Sequence, residues 1–166
     1  AGFEDFMLKE IFEQPDAIRK TLNEYLKDNR VVLPFYFSGE ELDCIKRITI
    51  VACGTASYAG KVGEYILEEL TDLPTKVEVG SEYRYKHSIV DEGNLVIVLS
   101  QSGETADTLA SMRQALKNRA KVIGVTNVRG STVSRELQNV IHTIAGPEIA
   151  VASTKAFVTQ LISLYL

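Results

Sequence analysis

Residues 94–116 read NLVIVLSQSGETADTLASMRQAL, and this stretch decides the fold. It contains a short, continuous apolar run, LVIVL (95–99), which is typical of a strand that is buried on both faces of a sheet. A polar segment with one glycine, SQSGET (100–105), follows directly, and a helical segment comes next. The stretch therefore predicts a strand, a loop and a helix, which is the repeating unit of a parallel α/β sheet.

The same alternation of strand and helix extends in both directions from this stretch. Four further strands are predicted at 47–53, 75–82, 121–127 and 139–145, and helices at 55–72, 131–138 and 152–166. Residues 81–88 are predicted to form a short helix or turn. Strand cores of Val, Ile and Leu that each lead into a helix require a sheet covered on both faces. We therefore predict a doubly wound, flavodoxin-like α/β domain with a five-stranded parallel sheet.

The N-terminal part of the chain has a different pattern. Apolar residues between Phe3 and Leu26 recur every three or four positions, the period of amphipathic helices. Pro15 is predicted to divide this segment into two helices, because proline suits the first turn of a helix. Residues 31–46 show no single period and are predicted to be a connection, in which a short strand or helix is left open. We expect a helical segment at 1–30 and the α/β domain at 31–166, with its core at about 45–166.

Composition excludes several classes of protein. The chain has 166 residues, enough for one well-filled core, and a net charge of -4, which argues against a general nucleic-acid binder. It has two cysteines, and neither a secretory signal nor an apolar run long enough to cross a membrane is visible. We therefore expect a soluble, cytoplasmic protein without nucleic-acid or membrane partners.

Three polar loops are predicted at the carboxyl ends of strands, where ligands bind in such sheets. They are CGTAS (53–57), SQSGET (100–105) and AGPEIAVASTK (145–155), and each opens a helix whose first N–H groups favour an anion.

The second loop carries the clearest chemistry. Ser100, Ser102 and Thr105 supply hydroxyl donors, Gly103 lets the backbone approach a ligand, and Gln101 adds an amide. This combination predicts a cradle for a phosphomonoester on a polyol. The alternative is that Ser102 or Thr105 only caps the next helix, which explains one hydroxyl but not three.

Nucleotide motifs do not fit this sequence. GTASYAGKV (54–62) lacks Walker A spacing, and Val62 stands where a magnesium-binding hydroxyl is needed. No G-x-G-x-x-G follows a strand, so a dinucleotide site has no support. The small residues of this segment are better explained by close packing of a helix on the sheet. We expect no cofactor.

Four isolated residues are candidate catalytic or binding groups. His87 and His142 have no partner at metal-ligand spacing, so both are expected to be structural or on the surface, and no metal site is expected. Cys53 has no base nearby in sequence and is expected to be inert. Lys155 can meet a phosphate or a carboxylate ligand, or it can be a solvated or ion-paired lysine, and the sequence leaves both open.

Several segments together resemble a known family. They are ACGTAS (52–57), SEYRYKHS (81–88), VIVLSQSGETADTLASMRQAL (96–116) and EIAVASTKAFVTQL (148–161), preceded by FMLKEIFEQP (6–15). These segments resemble the sugar isomerase (SIS) domain family and, within it, the isomerase half of glutamine:fructose-6-phosphate aminotransferases. The resemblance covers nearly the whole chain.

The resemblance implies a fold and a site. SIS domains have a five-stranded parallel sheet flanked by helices, and this chain would be the first SIS domain of such an enzyme. The ligand would be fructose 6-phosphate or glucosamine 6-phosphate. Its phosphate would be held by Ser100, Gln101, Ser102 and Thr105. Its sugar would lie beside Thr55 on one side and Val151 and Ser153 on the other.

Two departures from the family pattern matter. The family usually has serine at the position of Ala56, so one hydroxyl contact to the phosphate is missing unless Ser57 or a backbone N–H replaces it. The family's catalytic groups belong to a second SIS domain and to a glutaminase domain, so the resemblance implies no catalytic residue in this chain. Because FVTQLISLYL (157–166) ends on apolar side chains, we expect a fragment of a longer chain whose partners are those domains and a second copy in a homodimer.

Two other functions remain open from the sequence. A non-catalytic SIS module can bind a sugar phosphate and signal through a partner, although no DNA-binding segment is visible here. The domain can also be mainly an assembly piece whose apolar faces form a dimer.

Overall fold

The computed structural model describes residues 2–86 and 90–166. The helices are α1 (Phe6–Tyr25), α2 (Gly39–Asp43), α3 (Thr55–Thr71), α4 (Gly80–Tyr83), α5 (Ala106–Lys117), α6 (Thr132–Glu136) and α7 (Lys155–Tyr165). The strands are β1 (Leu26–Lys27), β2 (Arg30–Val31), β3 (Arg47–Ala52), β4 (Thr75–Val79), β5 (Asn94–Leu99), β6 (Lys121–Thr126) and β7 (Val140–His142).

Five strands form one parallel sheet in the order β4-β3-β5-β6-β7, and β1 and β2 form a separate antiparallel pair. The chain moves from β3 outward to β4 and then returns to place β5 on the other side of β3. The strand order therefore reverses between β3 and β5. This topology confirms the predicted doubly wound five-stranded sheet.

Each face of the sheet has its own core. Alternate residues of β3 and β5 point to opposite sides, as the period of a strand requires. Val51 and Val98 belong to one apolar core, to which α5 and α6 contribute. Ile50 and Ile97 belong to the other, to which α3 and α7 contribute. Helices therefore cover both faces, and the strands are continuous apolar runs because both of their sides are buried.

The prediction that Pro15 divides the N-terminal segment is wrong, because α1 runs unbroken through it. Proline lacks an N–H, so the carbonyl of Ile11 loses its usual helical donor. The Gln14 side chain donates to that carbonyl at 3.0 Å instead. One of the costs of an interior proline is therefore removed by the residue before it.

Only the C-terminal part of the apolar face that the sequence predicted for α1 is covered, where Ile18 and Leu22 are half-buried and Tyr25 is buried. Phe6, Met7 and Ile11 are exposed, whereas Glu10 and Thr21 are buried together with Ala17 and Tyr25. The reason is that α1 packs on α7, which places Thr21 and Tyr25 against unpaired backbone groups at the β7 edge of the sheet. Glu10 meets unpaired backbone N–H groups of residues 149–150 instead.

Polar side chains of α1 satisfy this edge. The Tyr25 hydroxyl accepts from the backbone N–H of His142 at 2.7 Å and donates to the carbonyl of the same residue at 3.0 Å. The Thr21 hydroxyl accepts from the N–H of Ile144 at 3.0 Å. Hydrogen bonding, rather than apolar burial alone, therefore selects the face of α1 that packs on the domain.

Smaller differences occur at element ends. The strand predicted at 75–82 ends at Val79, because Gly80 begins the short helix α4. The predicted connection at 31–46 contains α2, which Ser38 and Glu41 start with a reciprocal capping box. The short helix or turn predicted at 81–88 corresponds in part to α4, and its last two residues, His87 among them, lie outside the described residues. Among the helices that are described, none is long and apolar enough to cross a membrane.

The half-buried imidazole of His142 predicts a pH dependence of stability. Its Nε2 atom lies 3.0 Å from the Ser134 hydroxyl. Burial, and to a lesser degree the nearby Arg129, lowers the pKa of His142 below its usual value of about 6.5. The unfolded chain therefore binds more protons below that pH, so stability falls as the pH drops from about 6.5. We expect the urea midpoint of the wild type to fall more between pH 7 and 5 than that of His142→Gln. Equal falls in the two proteins would contradict this assignment.

Candidate functional site

The candidate site lies at the carboxyl ends of β3 and β5, where the strand order reverses. The loop after β3 leads into α3, and the loop after β5 leads into α5. A crevice at this point of an open parallel sheet is the usual ligand site of such folds. A cavity of about 180 Å³ opens here.

Most of the residues predicted for the site lie together around this cavity. It is lined by Cys53, Thr55, Ala56, Leu99, Ser100, Gln101, Ser102, Thr105, Ser153 and Gln160. Six of the seven predicted residues are in this set, and Val151 is not. Val151 is fully exposed on the third loop, so its side chain contributes no wall to the cavity in this structure.

The three hydroxyls of the second loop retain donors for a ligand. The Ser100 oxygen accepts from the backbone N–H of Gly103 at 3.0 Å and lies 3.2 Å from the Thr105 oxygen. One of these two hydroxyls donates to the other, so one hydrogen of the pair is free. The Ser102 oxygen accepts from the N–H of Glu104 at 3.2 Å, and its hydrogen is also free. The local hydrogen bonds among the described residues therefore orient the hydroxyls and leave two of their three hydrogens for a ligand.

The helix starts at this end of the sheet also offer donors. Thr105 is the N-cap residue of α5, but its side chain makes no capping hydrogen bond. The alternative in which Thr105 or Ser102 only caps this helix is therefore not seen. Gly54 precedes α3 and likewise has no side-chain cap. First-turn N–H groups have no partner within a helix, so both helices present partial positive charge toward the crevice.

Gly103 fixes the shape of the second loop. Its φ of +66° lies in the left-handed region, and a Cβ atom there would stand 2.2 Å from the Ser131 oxygen and 2.7 Å from the Thr126 hydroxyl oxygen. Its carbonyl also accepts from the N–H of Val133 at 3.2 Å. Only glycine lets the loop approach α6 this closely.

Glu104 ties the same loop to the start of α6. Its carboxylate accepts from the backbone N–H and from the hydroxyl of Thr132, each at 2.7 Å. These hydrogen bonds lower the pKa of Glu104, so the carboxylate stays ionised at neutral pH. Glu104 lies between Ser102 and Thr105 in the sequence, but its side chain binds the start of α6 and does not line the cavity.

Ser57 does not replace the hydroxyl that Ala56 lacks, and a backbone N–H at the start of α3 stays open as the replacement. The Ser57 hydroxyl donates to the carbonyl of Gly54 at 2.7 Å and is buried at the start of α3. Cys53 is half-buried in the wall of the cavity, and the hydroxyl of Thr108 donates to its sulfur at 3.6 Å. Thr55 is the only hydroxyl of this loop that reaches the cavity among the residues that the structure describes.

The third loop is held by carboxylates. The Ser153 hydroxyl donates to Glu148 at 3.2 Å, which leaves its oxygen lone pairs to face the cavity as acceptors. Lys155 is ion-paired, the second of the two roles that the sequence left open, because its buried ammonium group lies 2.7 Å from the Glu13 carboxylate. This contact lowers the pKa of Glu13. Lys155 does not line the cavity.

Gln160 is a cavity residue that the sequence reasoning missed. It lies on α7, is 3% exposed and lines the cavity. Its side-chain amide has no hydrogen-bond partner among residues 2–86 and 90–166. A polar residue on the buried side of an apolar helix was the available signal, because such an amide needs a partner.

No lining residue of the cavity carries a formal charge. Within the described ranges, no three His, Cys, Asp or Glu side chains are grouped so that they hold a metal ion. The arrangement is chemically suited to bind an anion through neutral donors and helix starts, and to contact hydroxyls through amides.

Comparisons with known proteins agree with this geometry. The SIS domain family matches residues 41–166. The chain is 54% identical over 99% of its length to the glutamine–fructose-6-phosphate aminotransferase (isomerizing) of Caldanaerobacter subterraneus subsp. tengcongensis, and 52% identical to that of Clostridium perfringens. It spans 28% and 27% of these relatives.

A solved structure is similar over the same extent. The C-terminal domain of glucosamine-fructose-6-phosphate aminotransferase from Francisella tularensis superposes with a TM-score of 0.92 at 43% identity. The match covers 99% of this chain and 46% of that one. The family match, the fold and the strand-end loops agree, and the chain belongs to the SIS domain family.

Proposed function

We propose that this chain binds the phosphate of fructose 6-phosphate or glucosamine 6-phosphate as the first SIS domain of a glutamine:fructose-6-phosphate aminotransferase. The observation that carries the proposal is the uncharged cavity at the strand ends, with Ser100, Ser102 and Thr105 on one wall. Gln101 is the fourth proposed contact of the phosphate, and Thr55 and Ser153 are the proposed contacts of the sugar. Val151 is proposed to contact the sugar only when the exposed third loop closes on it.

The size of the cavity supports a partial site. Its volume of about 180 Å³ is below the roughly 300–1,000 Å³ of complete small-molecule pockets. A phosphate and the adjacent carbons would fill it, and the reacting end of the sugar would project outward. Catalytic groups would then come from outside this chain, in a second SIS domain, with ammonia supplied by a glutaminase domain and with a homodimer as the assembly.

Phosphate binding of this kind contributes to catalysis through position. Contacts to a part of the substrate that does not react hold the sugar so that its first two carbons meet the catalytic groups. The free hydroxyl hydrogens and the starts of α3 and α5 would stabilise the dianion, and Gln101 and Gln160 would contact neighbouring oxygens. No carboxylate, imidazole or amine lines the cavity among the residues that the structure describes.

The test is calorimetry with glucosamine 6-phosphate and with unphosphorylated glucosamine. We expect saturable heat only with the phosphate ester, and no conversion of fructose 6-phosphate and ammonia by the chain alone. Equal heats from the two ligands would contradict the phosphate cradle. Turnover by the chain alone would contradict the proposal that the catalytic groups belong to other domains.

A non-catalytic sugar-phosphate sensor is the second candidate, and the absence of an acid or base among the described lining residues favours it equally. The identity of 54% to an aminotransferase favours the first. Restored turnover on mixing with the missing domains would decide for the enzyme, and no turnover in that mixture would favour the sensor.

A further inference from the structure

Glu10 is a buried carboxylate on α1, far along the chain from the candidate cavity. It is 2% exposed, and one of its oxygens accepts from the backbone N–H groups of Ile149 at 2.6 Å and Ala150 at 3.2 Å. Its other oxygen accepts from the Thr154 hydroxyl at 3.3 Å. Burying a charged group is costly unless it is well hydrogen-bonded, and here all the bonds go to the third loop.

The third loop depends on these side chains for its conformation. Residues 143–154 contain no helix or strand, so their backbone groups are satisfied mainly from outside. Glu148 accepts from the N–H groups of Thr154 at 2.8 Å and Ala156 at 3.1 Å, and it shares the Thr154 hydroxyl with Glu10. Two carboxylates thus meet at one hydroxyl, one from α1 and one from the loop.

The cavity wall is connected directly to this cluster. Ser153, which lines the cavity, donates to Glu148 at 3.2 Å and is the residue before Thr154. A change in the position of α1 therefore reaches Ser153 through Thr154 and Glu148. The second link between α1 and this segment, Glu13 to Lys155, lies at the start of α7.

We propose that Glu10 is a positioning residue for the sugar-phosphate site, so that the N-terminal helix controls how firmly the third loop holds the sugar. This inference rests on the proposed function. Glu10 does not line the cavity, so it acts through Thr154 and Glu148. The second loop has its own supports in Gly103 and Glu104, so the phosphate cradle is independent of α1.

Because the third loop is supported by α1 and the second loop is not, a Glu10 variant should affect sugar binding without affecting phosphate binding. Loss of folding would affect both. Glu10→Ala removes every acceptor, whereas Glu10→Gln keeps one oxygen for the N–H groups of Ile149 and Ala150. We expect Glu10→Ala to weaken glucosamine 6-phosphate binding about 10-fold, since one charge-assisted hydrogen bond is worth roughly that factor. Glu10→Gln should stay within about 3-fold of the wild type. Asp16→Asn, an exposed carboxylate on the same helix, is the matched control and should change nothing.

Three measurements make the result decisive. Titration with inorganic phosphate, followed by the NMR signals of residues 100–105, should give the same affinity in all variants. Amide hydrogen exchange at Ile149 and Ala150 should be faster in Glu10→Ala. Thermal unfolding verifies that each variant is folded, and Thr154→Val should reproduce the loss if Glu10→Ala does not fold.

The outcomes separate the inference from the proposed function. Unchanged glucosamine 6-phosphate affinity with faster exchange overturns the inference, and so does an equal loss of inorganic phosphate affinity. If the wild type binds no sugar phosphate, the proposed function fails instead. The exchange rates would then still show whether Glu10 holds the loop.

Discussion

Replacing Ser102 with aspartate is expected to abolish detectable binding of glucosamine 6-phosphate, a loss of more than about 100-fold, while the fold stays intact. The new carboxylate would stand in the cavity where the proposed phosphate dianion binds. Two like charges about 4 Å apart near a protein surface repel each other by several kcal/mol. Ser102 is only half-buried, so the substitution does not place a charge in the core. Calorimetry measures the loss, and thermal unfolding verifies the fold.

Two controls separate charge from the loss of a hydroxyl. Ser102→Ala removes one neutral donor and should weaken binding by no more than about 10-fold. Gln138→Glu adds the same charge at an exposed position outside the cavity and should leave affinity unchanged. If Ser102→Asp binds as well as Ser102→Ala does, the phosphate does not lie against the second loop.

Gly103→Ala is expected to have the largest effect on stability, about 3 kcal/mol. The left-handed conformation costs a residue with a Cβ atom about 1 kcal/mol, and the contact of 2.2 Å with the Ser131 oxygen adds an overpacking cost. Ser131 is buried and caps α6, so it cannot move without breaking that cap. Urea unfolding measures the change.

Gly130→Ala is the matched control for this prediction. Gly130 also has a positive φ, of +80°, but no atom lies within 4 Å of the position of its Cβ atom. It should therefore lose only the conformational term, about 1 kcal/mol. Equal losses in the two variants would show that the contact with Ser131 contributes nothing.

The sheet could be predicted from sequence because its strands repeat one simple pattern. LVIVL and the other apolar runs are continuous, since both of their faces are buried, and each is followed by a polar loop and a helix. The same regularity placed 53–57 and 100–105 at one edge of the sheet, so most of the cavity residues followed from the fold class.

The N-terminal helix could not be predicted in the same way. Periodicity selects the apolar side of a helix as the buried side, but α1 buries Glu10 and Thr21 because they meet unpaired backbone groups. That requirement exists only after the sheet has formed. Pro15 was misleading for a different, local reason, because the Gln14 side chain three residues along the same helix donates to the Ile11 carbonyl that the proline leaves without a donor.

The third loop and Gln160 show the same limit in the candidate site. Gln160 reaches the cavity because α7 packs beside α3, which no local pattern specifies. Val151 matched the family motif but is exposed in this structure. Apart from Ser153, which the family resemblance implied, side chains that approach the crevice from distant segments are therefore placed by tertiary packing, whereas those that follow directly on a strand are placed by the strand itself.

The hydrogen bonds from Tyr25 and Thr21 to the chain around β7 have a consequence for solubility. They occupy amide groups that would otherwise be a template on which another polypeptide adds a strand. A shortened protein that starts after residue 30 would expose this template at one side of its sheet. Such a protein would retain its first and second pocket loops and yet be prone to self-association by backbone pairing, so α1 protects the domain against aggregation in addition to stabilising its fold.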